Sequence, residues 1–254
     1  MPRTSKASGS VALVTGANRG IGLAFVQELA ARGARKVYAG VRSSGDVIDE
    51  FTGLPVEIVP LDVTDLGAVQ AAAAACPDVN LLVNNAGLFT NHRLVLTDDP
   101  DAARREMEVN FFGVLNMTRV FAPVLGANGG GYIANVLSVA GAFPAPFMGG
   151  YSPAKAAALF LSSITRSELA DQGTEVIALI VGSVDTRMAA HVQGRKEDPR
   201  DIARAGLTAL DRGEYVADTD FMAVEARARY ARDPVRYERG MTKLLNTTVM
   251  DTGR

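Results

Sequence analysis

The sequence predicts a single α/β domain built on a parallel, doubly wound sheet, and three observations predict it. Short apolar runs alternate with helical stretches along nearly the whole chain, the order that places helices on both faces of a parallel sheet. No internal repeat or low-complexity linker divides the 254 residues, a length that suits one large α/β domain. Residues with chemistry to offer recur just after the apolar runs. Right-handed crossovers would bring those strand ends to one edge, where ligands bind in open α/β sheets.

The elements follow in order. A polar lead, residues 1–9, is expected to be flexible. Val11-Ala12-Leu13-Val14-Thr15 then reads as a strand buried on both faces. It leads into Gly16-Ala17-Asn18-Arg19-Gly20-Ile21-Gly22 and an amphipathic helix ending near Gly33. Between a strand and a helix, glycines let the backbone turn tightly and approach a pyrophosphate, whose charge sits at the helix N-terminus. Strands at Lys36–Val41 and Val56–Pro60 come next, with Asp62 directly after the second. The Ala-rich stretch from Asp65 to Ala75 is a helix with Asp65 in its first turn, where an acid suits the helix dipole. Leu81-Leu82-Val83 is a fourth strand ending in Asn84-Asn85-Ala86-Gly87.

A long helix from about Asp101 to Leu125 carries Asn110 and Gly113. Tyr132 to Leu137 is a fifth strand with Ser138 at its end, and a helix runs from Tyr151 to about Ala170. Glu175 to Val181 is a sixth strand, ended by Gly182. Residues 186–200 read as an irregular loop beside the site. A helix at Pro199–Arg212, a short strand at Glu214–Val216 and a charged helical tail over 223–254 complete the chain. Packing or subunit contact is the expected role of that tail.

Tyr151 and Lys155 stand four residues apart at a helix start, so they share one helix face. An ammonium held there would favour the phenolate and lower the tyrosine pKa from its ordinary value of about 10. A tyrosine so tuned can give a proton to a carbonyl oxygen or take one from an alcohol.

Composition excludes several classes. Hydrophobic residues make up 48% and charged residues 21%, with a net charge of −2. That balance makes no electrostatic case for nucleic acid or an anionic membrane as partner. Cys76 is the single cysteine, so neither an intramolecular disulfide nor a thiol metal cluster is possible; a small buried hydrophobe is its expected role. His92 and His191 have no metal-ligand partner at useful spacing, so no metal is expected. No signal-peptide core opens the chain, and no uninterrupted apolar run reaches the roughly 18 residues of a membrane span. A reducing compartment, the cytoplasm, is the expectation.

Taken in order, Thr15 to Gly22, Asp62-Val63, Asn84-Asn85-Ala86-Gly87, Asn110, Ser138 and Tyr151 with Lys155 resemble the motifs of the short-chain dehydrogenase/reductase family. The resemblance covers roughly Val11 to Thr186, with a continuation to about residue 220. It implies a Rossmann-type sheet in a single domain and a nicotinamide cofactor that carries hydride. Tyr151 would be the acid in carbonyl reduction and the base in alcohol oxidation, and Ser138 would hydrogen-bond the reacting oxygen. Lys155 would lower the tyrosine pKa and hold the nicotinamide ribose, while Asn110 would interrupt its helix and position a relay water. For the cofactor, the resemblance implies contacts from Gly16, Asn18, Gly20, Ile21 and Gly22. It adds Asp62 at the adenine amino group, Val63 at the ring, and Asn84, Ala86 and Gly87 after the fourth strand. Gly182, Val184 and Thr186 would close the cofactor site after the sixth. It also implies a homodimer or homotetramer, formed through the helices carrying Asn110 and Lys155. One departure is that the family's Pro-Gly after the sixth strand is Val181-Gly182 here, so a looser loop over Ser183 to Met188 is expected.

Cofactor choice should be set at the end of the second strand. An acid there would bind a ribose 2′-hydroxyl and repel a 2′-phosphate. Val41 takes the acid's place, followed by Arg42, and Arg19 in the glycine loop offers a second guanidinium to the same phosphate. NADP(H) is therefore the expected cofactor. Phe143, Phe147 and Met148 lie between Ser138 and Tyr151, where the family builds a pocket wall. With Leu88, Phe89 and a Met188 lid, they point to an apolar or aromatic carbonyl substrate. Core packing or subunit contact is an equal alternative for the two phenylalanines. The combined reading is an NADPH-dependent carbonyl reductase or, reversibly, an alcohol dehydrogenase. An NAD-dependent dehydrogenase and a non-catalytic NADP(H) sensor are the alternatives.

Overall fold

In the computed structural model, which describes residues 5–42, 49–190 and 192–247, strand β1 (Val11–Thr15) is buried along its whole length. Its alternation divides the core, because successive side chains point to opposite faces of a sheet. Ala12 and Val14 join one apolar cluster, Val11 and Leu13 the other. Around it lie β2 (Lys36–Val41), β3 (Val56–Pro60), β4 (Leu81–Asn84), β5 (Gly131–Val136), β6 (Thr174–Ile180) and β7 (Val216–Asp218). The sheet order is β3-β2-β1-β4-β5-β6-β7, and every pair is parallel. The order reverses between β1 and β4.

Helices cover both faces. Helix α1 (Gly20–Ala31) and α7 (Pro199–Arg212) bring Phe25, Leu29 and Leu207 to the first cluster. Helix α2 (Leu66–Ala75) brings Val69 to the second. Asp65 is the N-cap of α2 rather than part of its first turn. Its Oδ1 accepts from Gly67 N at 2.8 Å and Ala68 N at 3.2 Å, filling two of the donors that a helix start leaves open.

The long helix near Asn110 has three parts: α3 (Ala102–Met107), a π-helical turn (Glu108–Phe112) and α4 (Gly113–Ala127). As one run, Ala102–Ala127 is long and apolar enough by length and composition to cross a bilayer, although charged residues interrupt it. Here it is a core helix, with Met117, Phe121 and Leu125 fully buried in the second cluster. The wider turn at Asn110 agrees with the expected interruption; such turns gather at functional positions.

Ser138 caps a short helix, α5 (Val139–Ala142), that sequence reasoning missed. A 3₁₀ turn (Pro146–Met148) and α6 (Tyr151–Glu168) follow. The charged tail is two helices, α8 (Phe221–Arg232) and α9 (Pro234–Thr247). Pro234 disfavours helical backbone at Asp233 before it, so the chain turns there. The lead is not a free strand of chain from Ser5 on. Ala7 is buried, Lys6 N donates to Asp211 Oδ1 at 2.7 Å, and Lys6 Nζ pairs with Glu175 at 2.6 Å.

Burial of large aromatic side chains and capping of helices should contribute unequally. Phe121→Ala is expected to lower unfolding free energy by about 3–5 kcal/mol, and Asp65→Ala by about 1 kcal/mol. Denaturant titration of both variants checks the ranking; equal losses would contradict it.

Candidate active site

The C-terminal ends of β1 and β4 part where the strand order reverses, and a cleft of about 2370 Å³ opens there. Sites for drug-sized ligands run to about 1000 Å³, so this cleft has room for a dinucleotide and a second molecule.

Its floor is the glycine loop. Ala17 N donates to Gly40 O at 3.2 Å, hanging the loop on β2. Gly16 and Gly20 have φ of +63° and +54°, the left-handed region that favours glycine. Gly22 does not line the cleft; it leaves no room for a Cβ against Gly16 O and Asn85 Nδ2, so it fixes the loop from beneath. Helix α1 opens at this loop, yet Arg19 at its N-cap makes no side-chain cap bond and its first turn holds no acid. Free first-turn N–H groups at Gly20 and Ile21, which line the cleft, suit an anionic phosphate. These residues fit a dinucleotide.

Asn84 is a correction. Its side chain lies inside the sheet, where Nδ2 donates to Asn135 Oδ1 at 2.8 Å, and Asn135 in turn donates to Ser162 Oγ at 2.8 Å. Strand alternation turns the next residue toward the glycine loop. Asn85 Nδ2 donates to Thr15 O at 2.9 Å and Gly16 O at 3.2 Å. Thr15 Oγ1 accepts from Asn85 N and Ala86 N, both at 2.9 Å. Ala86 and Gly87 do line the cleft.

Ser138, Tyr151 and Lys155 meet at the cleft's centre. Ser152 Oγ ties α6 to the preceding segment, donating to Ala140 O and accepting from Ala145 N at 3.2 Å. A Cβ on Gly141 would strike the Lys155 backbone, so glycine lets α5 seat against α6. This packing brings Ser138 within hydrogen-bond reach of the Tyr151 phenol. Lys155, 4% exposed, donates from Nζ to Val136 O at 2.9 Å and lies 5.6 Å from the Tyr151 ring centroid. Burial pulls its pKa down to about 8.

The tyrosine departs from expectation. Its pKa is pushed up to about 12, mainly by burial, with the Ser138 hydrogen bond pulling down and the Glu106 charge pushing up. Burial outweighs the downward pull, and Lys155 is not among the groups that supply it. The phenol is thus held as a proton-carrying acid.

Asn110 is fully buried behind the cleft wall. Its Nδ2 donates to Leu88 O and Glu106 O, each at 2.8 Å, and its Oδ1 accepts from Leu88 N at 3.1 Å. One lone pair of Oδ1 remains. The space that a Cβ on Gly87 would fill is bordered by Asn110 Oδ1 at 3.2 Å and Lys155 Nζ at 3.8 Å.

At the far end of the cleft, Asp62 Oδ1 accepts from Thr64 N at 2.9 Å and Thr64 Oγ1 at 2.7 Å. Those bonds, with Arg42 nearby, hold its carboxyl below the usual range. Val63 also lines this end. Gly40 and Arg42 face the cleft, whereas Val41 is turned into the core. Arg42 and Arg19 are both exposed there. Glu50 lines the cleft too.

After β6, Gly182, Val184, Thr186 and Met188 line the opposite wall. The expected looseness meets a tether: Gly182 N donates to Asp220 Oδ2 at 2.7 Å, and Asp185 N to Glu197 O at 2.9 Å. Phe143, Phe147 and Met148 line the substrate end, as does Phe89, 5.5 Å from the Tyr151 ring. Sequence reasoning missed the tail's part in this wall. Tyr237 of α9 packs on Phe143 at 4.7 Å, Tyr230 of α8 on Phe143 at 5.9 Å, and Met241 joins them. The only signal was apolar residues at 230, 237, 241 and 244 among charges. His92 sits beside Asp98 at 3.1 Å, and His191 lies outside the described residues.

Comparisons with known proteins agree with this geometry. A short chain dehydrogenase, tazN of Aspergillus terreus, is 35% identical over 180 residues, 66% of this chain and 40% of that longer protein. The chain thus spans less than half of that relative. Galactitol 2-dehydrogenase (L-tagatose-forming) of Cereibacter sphaeroides is 35% identical over 74% of this chain and 77% of its own. A short chain dehydrogenase of Burkholderia cenocepacia, solved in complex with NADP, is 41% identical with a TM-score of 0.88, covering 92% of this chain and 98% of that one. The family model for short chain dehydrogenases matches residues 10–197. With the fold, the glycine loop and the Ser138–Tyr151–Lys155 cluster in place, the chain belongs to the short-chain dehydrogenase/reductase family of oxidoreductases.

Proposed function

We propose that this protein is an NADPH-dependent carbonyl reductase, reversibly a secondary-alcohol dehydrogenase, acting on apolar or aromatic substrates. The observation that carries the reading is the buried Tyr151 phenol, within hydrogen-bond reach of Ser138 and beside Lys155, beneath an aromatic wall. When bound, the nicotinamide supplies the hydride. Tyr151 gives its proton to the carbonyl oxygen as carbon accepts hydride, and the Ser138 hydroxyl donates to the same oxygen while charge develops there. The phenolate formed is reprotonated from Lys155. A water bridging Lys155 Nζ to the second lone pair of Asn110 Oδ1 would resupply the lysine. In oxidation each proton runs the other way.

Arg19 and Arg42, exposed at the cleft with no ion pair among the described residues, support a 2′-phosphate. The NADP complex of the Burkholderia cenocepacia relative points the same way. Glu50 is the acid that would support NAD instead. Exposed Phe112, Phe160 and Ile164 on the helices bearing Asn110 and Lys155 fit a homodimer or homotetramer. The buried Cys76 thiol, its pKa pushed up to about 12 by burial, fits a reducing compartment such as the cytoplasm.

Two experiments test this reading. Oxidation of NADPH and NADH should be followed side by side with aromatic and aliphatic ketones, aldehydes and quinones. NADPH should be preferred, and Arg42→Ala should lower its kcat/KM by about 10- to 100-fold, the loss of a charge-assisted bond, with NADH little changed. A wild-type preference for NADH would overturn the cofactor assignment. Tyr237→Ala should raise KM for aromatic ketones several-fold and leave small aldehydes unaffected; equal effects on both would remove α9 from the substrate wall.

A further inference from the structure

The described residues with a positive φ are all glycines but one, Asn91, at +60°. Left-handed backbone is costly for an L-residue, less so for Asn and Asp, and single instances gather where a site demands them. The segment that carries Asn91 follows β4 and passes Phe89, whose ring centroid lies 5.5 Å from that of Tyr151. Two residues of chain reach at most about 7 Å. Asn91 therefore belongs to the substrate end of the cleft.

Both of its neighbours are held from elsewhere. Thr90 N and Thr90 Oγ1 donate to Glu106 Oε1 at 2.8 Å and 2.9 Å. The His92 ring sits 3.1 Å from Asp98, and the His92 carbonyl oxygen fills the space that a Cβ on Gly149 would need. Neither Thr90 nor His92 lines the cleft, whereas Asn91 does. The left-handed turn thus presents the middle residue of three to the cleft. Its amide has no hydrogen-bond partner among the described residues.

The surroundings give that amide its meaning. The side chains of Phe89, Phe143, Phe147 and Met148 line the same end and offer no conventional hydrogen bond. Ser138 and Tyr151 serve the reacting oxygen. Arg229 and Glu225, which also line the cleft, pair with each other at 2.6 Å. Half-buried, the Asn91 amide is open to water until a substrate enters. A hydrocarbon ring would then cover it unmet, whereas a ring bearing a hydroxyl there would keep it bonded. A few polar groups placed in an apolar pocket are what fix a ligand's orientation.

We propose that Asn91 is a specificity-determining residue: its amide hydrogen-bonds a hydroxyl on the aromatic body of the substrate, away from the reacting carbonyl, so that phenolic aromatic ketones are preferred. An amide carries two donors and an acceptor, so it takes a hydroxyl in either sense. The proposal deepens the carbonyl-reductase reading and rests on it.

The test measures, by calorimetry, the binding of tetralone and acetophenone and of their phenolic derivatives, with the hydroxyl at each ring position in turn. The protein is loaded with NADP⁺, which has no hydride to give, so affinity is read without turnover. For at least one position the wild-type protein should bind the phenolic ketone about 3- to 10-fold more tightly than its parent, the scale of one hydrogen bond between neutral groups. Asn91→Gly suits the same backbone and removes the amide, so that ratio should fall to about one. Asn91→Asp tolerates the same φ and still accepts from a hydroxyl, so the ratio should persist. A wild-type protein that binds the derivatives no better than their parents, or binds neither, would overturn the proposal. So would a preference that survives in Asn91→Gly, or a loss there that is equal for parent and derivative, the mark of a residue that only shapes its segment. A wild-type protein that binds these ketones but reduces none of them with NADPH would count against the reductase reading, and the affinity ratios would still decide the role of Asn91.

Discussion

Lys155 is an ammonium removed from water, its Nζ donating to one backbone carbonyl, Val136 O. Such burial penalises the charged form, and the structure around it is arranged to tolerate and exploit that penalty. The end of β5 supplies the carbonyl, Gly87 puts no side chain between the nitrogen and Asn110 Oδ1, and Gly141 lets a short helix seat directly on the lysine backbone. The same contacts hold Tyr151 one helical turn away. With burial pulling the lysine down to about 8 and pushing the tyrosine up to about 12, the pair carries its protons at neutral pH.

The fold serves this arrangement through two kinds of contact. Apolar clusters on both faces of the sheet fix where the strands end, and polar links fix what happens just beyond those ends. Thr15 and Asn85 lock β1 to β4 at the glycine loop; Ser152 locks the Ser138 segment to α6; Asp220 holds Gly182 after β6. Each link joins a segment bearing a site residue to a neighbouring element. Hydrogen bonds of this kind are individually modest in net stability but costly to leave unmade when buried.

Much of this was legible in the sequence. The strands of a doubly wound sheet are buried on both faces, so they appear as short apolar runs, and β1, β2 and β3 have the expected bounds. The Ser138, Tyr151 and Lys155 spacing was readable because one helix and one strand end carry it. What failed depended on orientation. Asn84 and Asn85 differ only in strand parity, which a single residue at the end of β4 decides. Glu106 sits among Arg104, Arg105 and Glu108 and reads as a solvated face, yet the helix turns it inward under Thr90. The aromatic wall from the tail depends on the break at Asp233–Pro234, which folds α9 back onto Phe143. The direction of the tyrosine shift was hidden too, since the sequence does not show how deeply the phenol is buried.

The account stands on Tyr151 as the acid of the reaction, and one measurement reaches that claim directly. Tyr151→Phe removes a single oxygen from a ring whose packing against Phe89 is otherwise kept. Carbonyl reduction by the variant and its affinity for NADPH should be measured together. Turnover should fall by about 10²- to 10⁴-fold, the scale of general acid catalysis, with cofactor affinity nearly unchanged. Turnover equal to that of the wild-type protein would contradict the account.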